Sequence, residues 1–219
     1  MEAFDAESTD MPYRPTENTR ANAETRRAAI LAAATSLIAD GGFAAAAVRP
    51  IADASGIATG TVYRYFGTRE ELLAEIFRTL ADHEYTAVEQ AVDAAEPHVT
   101  DRLSALLDTF SRRALRAPRT ADALLFEPVN PLVEAERLIF RRRYHDLVVR
   151  IIDGGVRAGE IPAQDAPVTA RAVIGANAEA LMGRLSPPGQ GTATAPPADP
   201  DRLIATVTTF CLRALGAPQ

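Results

Sequence analysis

The sequence contains no lysine, no tryptophan and only one cysteine, and no long run of apolar residues is uninterrupted. Because Cys211 is alone, it can form neither an intramolecular disulfide nor a multi-cysteine zinc site, so packing has to hold the fold. The longest apolar run, residues 28–39, is broken by Thr35 and Ser36 and is shorter than the roughly 20 residues that span a bilayer. These absences argue against a disulfide scaffold and against a membrane-spanning protein.

The overall composition is that of an ordinary globular protein. Hydrophobic residues make up 47% of the 219 residues and charged residues 24%, close to the averages for folded domains. The first ten residues carry acids at Glu2, Asp5, Glu7 and Asp10 and no cation, whereas a secretory signal begins with cations. We therefore expect a cytoplasmic protein with a packed core.

The net charge of -6 conceals an uneven distribution along the chain. All 23 basic residues are arginine, and residues 20–69 carry six of them against three acids, whereas the segments on either side are acidic. Residues 20–69 are therefore the segment best suited to approach an anion such as a nucleic acid.

Helical periodicity dominates the chain, and no alternating β pattern of useful length occurs. We predict an all-α protein of about nine helices: a disordered tail at residues 1–20, a three-helix helix–turn–helix domain at residues 21–67 and a helical ligand-binding and dimerisation domain at residues 68–219. The first helix is expected to stop at Gly41-Gly42. Thr68 and Glu71 have the spacing of a capping box, which predicts that the fourth helix begins there and runs to about residue 95. The later helices are expected from residue 99 to near 118 and over residues 121–126, 132–156, 165–185 and 201–215. Residues 186–200 contain five prolines and two glycines and predict a mobile loop.

The second and third predicted helices have the dimensions of a helix–turn–helix. They cover Val48–Ser55 and Thr59–Phe66, and Gly56, Ile57 and Ala58 join them. A glycine allows the positive φ that such a turn requires, and an apolar residue after it fills the angle between the helices. The second of these helices can enter a major groove about 12 Å wide. From spacing alone, however, two amphipathic helices that merely pack together explain the pattern equally well.

The amino-acid sequence of this region resembles the DNA-binding domain of the TetR family of transcriptional regulators. The resemblance covers residues 25–71 and is most specific at residues 56–72, which read GIATGTVYRYFGTREEL. The remaining helices match the nine-helix layout of that family, with a small N-terminal DNA-binding part and a larger C-terminal part. The resemblance thus implies a DNA-binding regulator, most often a repressor, and we expect no cofactor.

The resemblance also implies a set of DNA contacts on the third helix and beside it. The positions equivalent to Arg49, Thr59 and Gly60 approach base edges in the family. The positions equivalent to Thr61, Tyr63, Tyr65 and Arg69 contact the backbone. Arg64 is expected to read a base, because its planar guanidinium can bond guanine O6 and N7 together.

Two residues depart from the family pattern. Ala47 stands where the family usually has a serine or threonine, and Ala58 stands where a capping serine is common. Losing a helix cap costs about 1 kcal/mol. Either Thr59 takes over the second cap, or this chain binds DNA with fewer backbone contacts than its relatives.

The last two predicted helices carry apolar residues spaced by 4, 3 and 4 positions, which suits a four-helix bundle made by two subunits. Packing within one chain explains the same pattern, but the resemblance implies dimerisation through these helices and a near-palindromic operator. The predicted interface residues are Ile174, Ala178, Leu181, Leu185, Leu203, Val207, Phe210 and Ala214.

The resemblance further implies a cavity for a small-molecule effector, enclosed by helices four to eight, with the fourth helix carrying the signal to the DNA-binding part. The candidate ligand contacts are residues that are expected to point inward and that can contact a ligand through a polar, aromatic or thioether group. They are Phe110, Phe126, Arg141, Tyr144, Asn177 and Met182. Helix geometry places Arg142 away from the apolar face, while Arg141 flanks it and is suited to bind an acidic or acyl ligand. A solvated surface is the alternative explanation of this arginine run.

An enzyme has little support in the sequence. No nucleotide-binding, metalloprotease or nucleophile-elbow motif occurs, and His83, His98 and His145 lie far apart. Two alternatives to a ligand-released repressor stay open at this point: a regulator controlled by a protein partner, and a transcriptional activator.

Overall fold

The computed structural model describes residues 17–185 and 199–217, and within these ranges the chain forms nine helices and no strand. The helices are α1 (Glu17–Gly41), α2 (Val48–Ser55), α3 (Thr59–Phe66), α4 (Arg69–Ala94), α5 (Val99–Arg116), α6 (Pro118–Leu125), α7 (Pro131–Ala158), α8 (Ala166–Leu181) and α9 (Pro200–Ala214). We call α1 to α3 the head and α4 to α9 the body. The predicted all-α fold is confirmed.

Local capping chemistry sets several of the helix boundaries. The Thr68 hydroxyl accepts a hydrogen bond from the Glu71 N–H at 3.1 Å, and the Glu71 carboxylate accepts one from the Thr68 N–H at 2.9 Å, which forms the predicted capping box. At the far end of the body, Gly159 adopts a left-handed conformation with φ 73° and ends α7. These boundaries follow from sequence because both partners of each cap lie within one helical turn.

Three boundaries differ from the predictions by three residues or more. Residues 17–20, expected to belong to a disordered tail, are the first turn of α1, and residues 1–16 lie outside the described ranges. Residues 182–185, expected to continue the eighth helix, follow its end at Leu181. Helix α6 begins at Pro118, not at residue 121, because a proline is well suited to the first turn of a helix.

The predicted loop at residues 186–200 falls almost wholly outside the described residues. The exceptions are Asp199 and Pro200, which form the N-cap and the first residue of α9. The Asp199 side chain accepts a hydrogen bond from the Asp201 N–H at 3.1 Å.

The long helices α4 and α7 form the centre of the body. Helix α4 packs on α5 and α7, α7 packs on α8, and α5 packs on α9, while α6 lies against α1 of the head. An aromatic cluster joins these layers: Phe140 meets Phe77 at 6.2 Å and Tyr144 at 5.0 Å between ring centroids, both edge to face. Head and body therefore share one continuous core.

The single cysteine belongs to that core. Cys211 lies on α9 with no exposed surface, and burial raises the pKa of its thiol to about 11. A thiol with such a pKa is almost fully protonated near neutral pH and is therefore a packing group. Among the described residues, no helix combines the length and the apolar character needed to cross a membrane.

Candidate nucleic-acid interface and ligand cavity

The helix–turn–helix forms with the predicted boundaries. Gly56 ends α2 in a left-handed conformation with φ 66°, and its N–H is directed at the carbonyls of Ala52 and Asp53. Ile57 is half-buried and packs against the core below the turn. On α3, Val62 and Phe66 are buried at 1% and 7% exposure, which fixes the rotation of the helix. The opposite face of α3 therefore points outward.

This outward face carries the predicted DNA-contacting side chains. Thr59, Gly60 and Arg64 are exposed, Tyr63 is 43% exposed, and Thr61 and Tyr65 are half-buried. A Cβ added at Gly60 would meet no atom within 4 Å, so its backbone is open to close approach. The Arg64 guanidinium lies 5.9 Å from the centre of the Tyr65 ring, which restricts the arginine on the helix surface.

Arg49 and Arg69 flank this face from the neighbouring helices. Both are exposed, on the first turns of α2 and α4 respectively. In contrast, Arg27 of α1 makes contacts within the protein: it pairs with Glu75 at 2.7 Å and lies 5.4 Å from the centre of the Phe66 ring. Of the eight predicted residues, six are exposed and two, Thr61 and Tyr65, are half-buried, and their contacts with DNA stay predictions.

The two capping departures are real. Ala47 and Ala58 are the N-caps of α2 and α3, and neither helix start has a side-chain cap. Thr59 is the first residue of α3 and does not take over the cap, so the first of the two alternatives is wrong. The uncapped N–H groups of both helix starts are left available to solvent or to phosphate oxygens.

A cavity of about 650 Å³ opens between α5, the end of α6, α7 and α8. Its inner wall is apolar, with Leu106, Leu107, Phe110, Phe140, Val173 and Ile174 as main contributors. A groove of about 320 Å³ adjoins it and shares Leu125, Phe126, Leu138 and Arg141. Volumes of this size are typical of small-molecule sites.

Charged side chains collect at the rim of this cavity. Arg141, Arg142 and Arg171 are exposed and line it together with half-buried His145 and one acid, Asp146. Arg171 donates to the Pro167 carbonyl at 3.2 Å, one turn back on its own helix. The rim therefore has an excess of cationic groups above an apolar interior.

Most of the predicted ligand residues line this cavity. Phe110, Phe126, Arg141, Tyr144 and Asn177 do so, and Asn177 accepts a hydrogen bond from the buried Ser111 hydroxyl at 3.0 Å. Burial raises the pKa of the Tyr144 phenol far above its usual range and keeps it neutral. Met182 is wrong as a cavity residue: it follows the end of α8, is 48% exposed and is absent from the cavity wall.

Sequence reasoning also missed part of the rim. Helix geometry predicts that Arg142 points away from the site, and the predicted ligand residues include neither Arg171 nor His145. The overlooked signal is a second stripe on α7, in which Leu138, Arg141, Arg142 and His145 follow an i, i+3, i+4, i+7 spacing. The cavity faces this stripe because α8 stands beside it.

The predicted dimer interface divides into three groups. Leu181, Leu185 and Val207 are 1%, 2% and 7% exposed within this single chain, so they belong to its own core and the prediction is wrong for them. Ile174 and Ala178 line the cavity. Leu203, Phe210 and Ala214 keep accessible surface outside the cavity, and Phe210 is 60% exposed.

An exposed recognition helix in a helix–turn–helix, set on an all-α body with an apolar cavity, defines a DNA-binding transcriptional regulator. The sequence profile described as "Bacterial regulatory proteins, tetR family" matches residues 30–76. The HTH-type transcriptional repressor KstR2 of Rhodococcus jostii is 32% identical over 138 residues, which cover 61% of this chain and 67% of that protein. The chain belongs to the TetR family of transcriptional regulators, and it is a regulator rather than an enzyme.

Other relatives match over a shorter segment or by fold. The KstR2 repressor of Mycolicibacterium smegmatis is 36% identical over 70 residues, which cover 32% of this chain and 34% of that protein. The FadR regulator of Bacillus subtilis, solved in complex with stearoyl-CoA, superposes with a TM-score of 0.71 at 19% identity over 84% of this chain and 97% of that one. At this identity the likeness to FadR establishes the fold alone.

Proposed function

We propose that this chain is a cytoplasmic repressor that binds a near-palindromic operator as a homodimer and leaves it when an amphiphilic acyl ligand fills the body cavity. A DNA-binding protein works in the compartment that holds the DNA, which for a bacterial regulator is the cytoplasm. The two KstR2 relatives named above are repressors, which supports this direction of control.

The observation that carries the ligand class is the division of the cavity into an apolar interior and an arginine rim. An acyl chain suits the interior formed by Phe110, Phe140 and Ile174. Guanidinium groups at the rim suit phosphate or carboxylate oxygens, which they bind through paired hydrogen bonds. A coenzyme A thioester combines both parts, and FadR of Bacillus subtilis was solved with such a molecule.

The protein-partner and activator alternatives receive less support. A cavity of about 650 Å³ with an apolar wall is suited to a small molecule. A partner protein is expected to use a broad exposed patch instead.

The homodimer is proposed on the exposed faces of α8 and α9. These helices are neighbours, and Phe210 and Ala214 are exposed one turn apart on α9. On α8, Ala172 and Glu179 are exposed at positions that share a face, and the exposed Met182 follows the end of the helix. Two such helices from each subunit form a four-helix bundle and place two recognition helices on one duplex.

Stearoyl-CoA is expected to stabilise the protein and to release it from DNA. At 100 times its dissociation constant a ligand adds about 2.7 kcal/mol of stability, which for a chain of this size raises Tm by about 5 to 10 °C. Free coenzyme A is expected to give a much smaller shift because it leaves the apolar wall uncovered. Thermal melts and gel retardation with each compound measure both effects.

The arginine rim provides the specific control for this experiment. Changing Arg141 and Arg171 together to glutamine is expected to weaken stearoyl-CoA binding about tenfold, since charge-assisted hydrogen bonds are lost. Arg150→Gln, on the same helix α7 but 60% exposed and outside the cavity, is expected to leave binding unchanged. Equal melting shifts from stearoyl-CoA and free coenzyme A would count against an acyl ligand.

DNA recognition is tested with two arginines of different expected roles. Genomic fragments captured by the purified protein supply the operator. Arg64→Ala is expected to lower operator affinity by about 1–3 kcal/mol and to relax base preference. Arg69→Ala is expected to weaken specific and random DNA alike and to reduce the salt dependence by about one counterion. If both variants lose the same amount on both kinds of DNA, the assignment of Arg64 to base reading is wrong.

A further inference from the structure

Helix α6 lies between the ligand cavity and the head and contacts both. Leu125 at its C-terminal end and Phe126 after it line the cavity. The next residue, Glu127, is half-buried, with 16% of its side chain exposed, and reaches the turn between α1 and α2. The residue that directly follows the cavity wall in the chain therefore contacts the DNA-binding part of the molecule.

The contact with the head is a pair of hydrogen bonds to backbone amides. One carboxylate oxygen of Glu127 accepts from the Phe43 N–H and the other from the Ala44 N–H, both at 3.1 Å. Arg119 of α6 donates to the Gly41 carbonyl at 2.8 Å, at the end of α1, and lies 3.7 Å from the Glu127 carboxylate. A side chain on Gly42 would overlap with both Glu127 and Arg119, so a glycine is needed beneath them.

A second connection runs through the aromatic core to the same turn. Phe43 is 2% exposed and stacks on Phe77 of α4 with ring centroids 6.2 Å apart. Phe77 in turn meets Phe140, which lines the cavity. Arg137 ties the two connections together, because its guanidinium lies 5.5 Å from the centre of the Phe77 ring and donates to the Glu127 carbonyl at 2.6 Å.

We propose that Glu127 is a positioning residue through which the filled or empty state of the cavity changes the placement of the helix–turn–helix. A group that fills the cavity presses on Leu125 and Phe126 and shifts the end of α6. The two oxygens of Glu127 satisfy two amides only over a narrow range of positions, so a small shift breaks one of these bonds. The turn it holds leads directly into α2, which begins at Val48.

This inference rests on the proposed function of the cavity, but its test needs no ligand. Ala178 lines the cavity from α8 and is half-buried, so Ala178→Trp places an indole in the space that a ligand would fill. The readout is hydrogen exchange at the Phe43 and Ala44 amides, because Ala178 belongs to a different helix and is not part of the α1–α2 turn. Exchange there is expected to rise about fivefold or more in Ala178→Trp.

Glu127→Gln supplies the second arm of the experiment. An amide offers one acceptor oxygen and turns an N–H toward the other backbone N–H, so exchange at these two positions is expected to rise about tenfold. The double variant, Ala178→Trp with Glu127→Gln, is expected to exchange no faster than Glu127→Gln alone, since both changes release the same contact. Glu160→Gln is the matched control: this carboxylate also accepts from a backbone N–H, that of Val99 at 2.6 Å, but outside the cavity and the head.

Independent effects that multiply in the double variant would overturn the proposal. So would native exchange at Phe43 and Ala44 in both Ala178→Trp and a second cavity variant, Ile174→Trp, provided that thermal melts show folded protein. A failure of stearoyl-CoA to bind the native protein, with raised exchange in the cavity variants, would leave this coupling supported and reject only the proposed ligand. The two proposals therefore fail in distinguishable ways.

Discussion

Phe210→Asp is expected to yield a folded monomer that has lost about 100-fold or more of its operator affinity. Phe210 lies on α9 and is 60% exposed, so an aspartate at this position is solvated in the single chain. In the proposed two-fold dimer it faces the same aspartate of the partner, and the two charges repel each other. A monomer presents one recognition helix, and loss of simultaneous engagement by two sites typically removes a factor of 10² to 10⁴ in binding. Sedimentation velocity gives the oligomeric state and gel retardation gives the affinity.

Leu181→Asp is the informative companion to this variant. The spacing of apolar residues in the sequence makes Leu181 and Phe210 look equivalent, but Leu181 is 1% exposed and packs with Ala114 and Ala121 inside the chain. A carboxylate there loses the packing of a leucine and is buried without a partner, at a cost of about 4 kcal/mol or more. We expect unfolding or strong loss of stability instead of a clean monomer. A Phe210→Asp protein that stays dimeric would place the interface elsewhere.

Arg137→Leu is expected to lower the free energy of unfolding by about 3 kcal/mol, although it exchanges a charged side chain for an apolar one. Arg137 is a buried arginine on α7, and it donates to the carbonyls of Ala123, Leu124 and Glu127 at 3.2, 2.9 and 2.6 Å. The first two are carbonyls of the last turn of α6, which have no partner within the helix. Leucine leaves all three without this donor.

The same arginine also holds an ion pair with Glu134 at 2.6 Å, and Glu134 loses this partner in the variant. In a chain of this length, 3 kcal/mol corresponds to a fall in Tm of about 6 to 12 °C. Arg150→Leu is the control on the same helix, because its side chain is 60% exposed and its ion pair with Glu89 is long at 3.8 Å; we expect a change below about 0.5 kcal/mol. Equal melting temperatures for the two variants would show that Arg137 does not cap α6.

The head is the part of the molecule that the sequence predicts best. The boundaries of α2 and α3, the left-handed Gly56 and the Thr68 capping box all depend on residues within a few positions of one another. The outward face of α3 follows from the spacing of Val62 and Phe66. The resemblance to TetR regulators covers this same segment and is confirmed by the family comparison.

The body is predicted less completely, because similar patterns along the sequence serve different purposes there. The stripe of α8 that suggested a dimer interface contains Leu181, which is core, and Ala178, which is cavity wall. Arg137 and Arg141 are one turn apart on α7 and both donate to carbonyls at the end of α6, yet Arg137 is buried whereas Arg141 lies exposed on the cavity rim. Helical spacing identifies the apolar face of a helix but not the partner that covers it.

The sequence by itself determined the helical class, the helix–turn–helix and its outward face, because these depend on hydrogen bonds and side-chain spacing within one or two turns of helix. Only the tertiary structure decided which apolar residues face the chain's own core, where the cavity and its arginine rim lie, and that Glu127 bonds the amides of Phe43 and Ala44 more than 80 positions away. Such contacts depend on how helices distant in sequence pack against one another, and the period of a single helix carries no information about its neighbour.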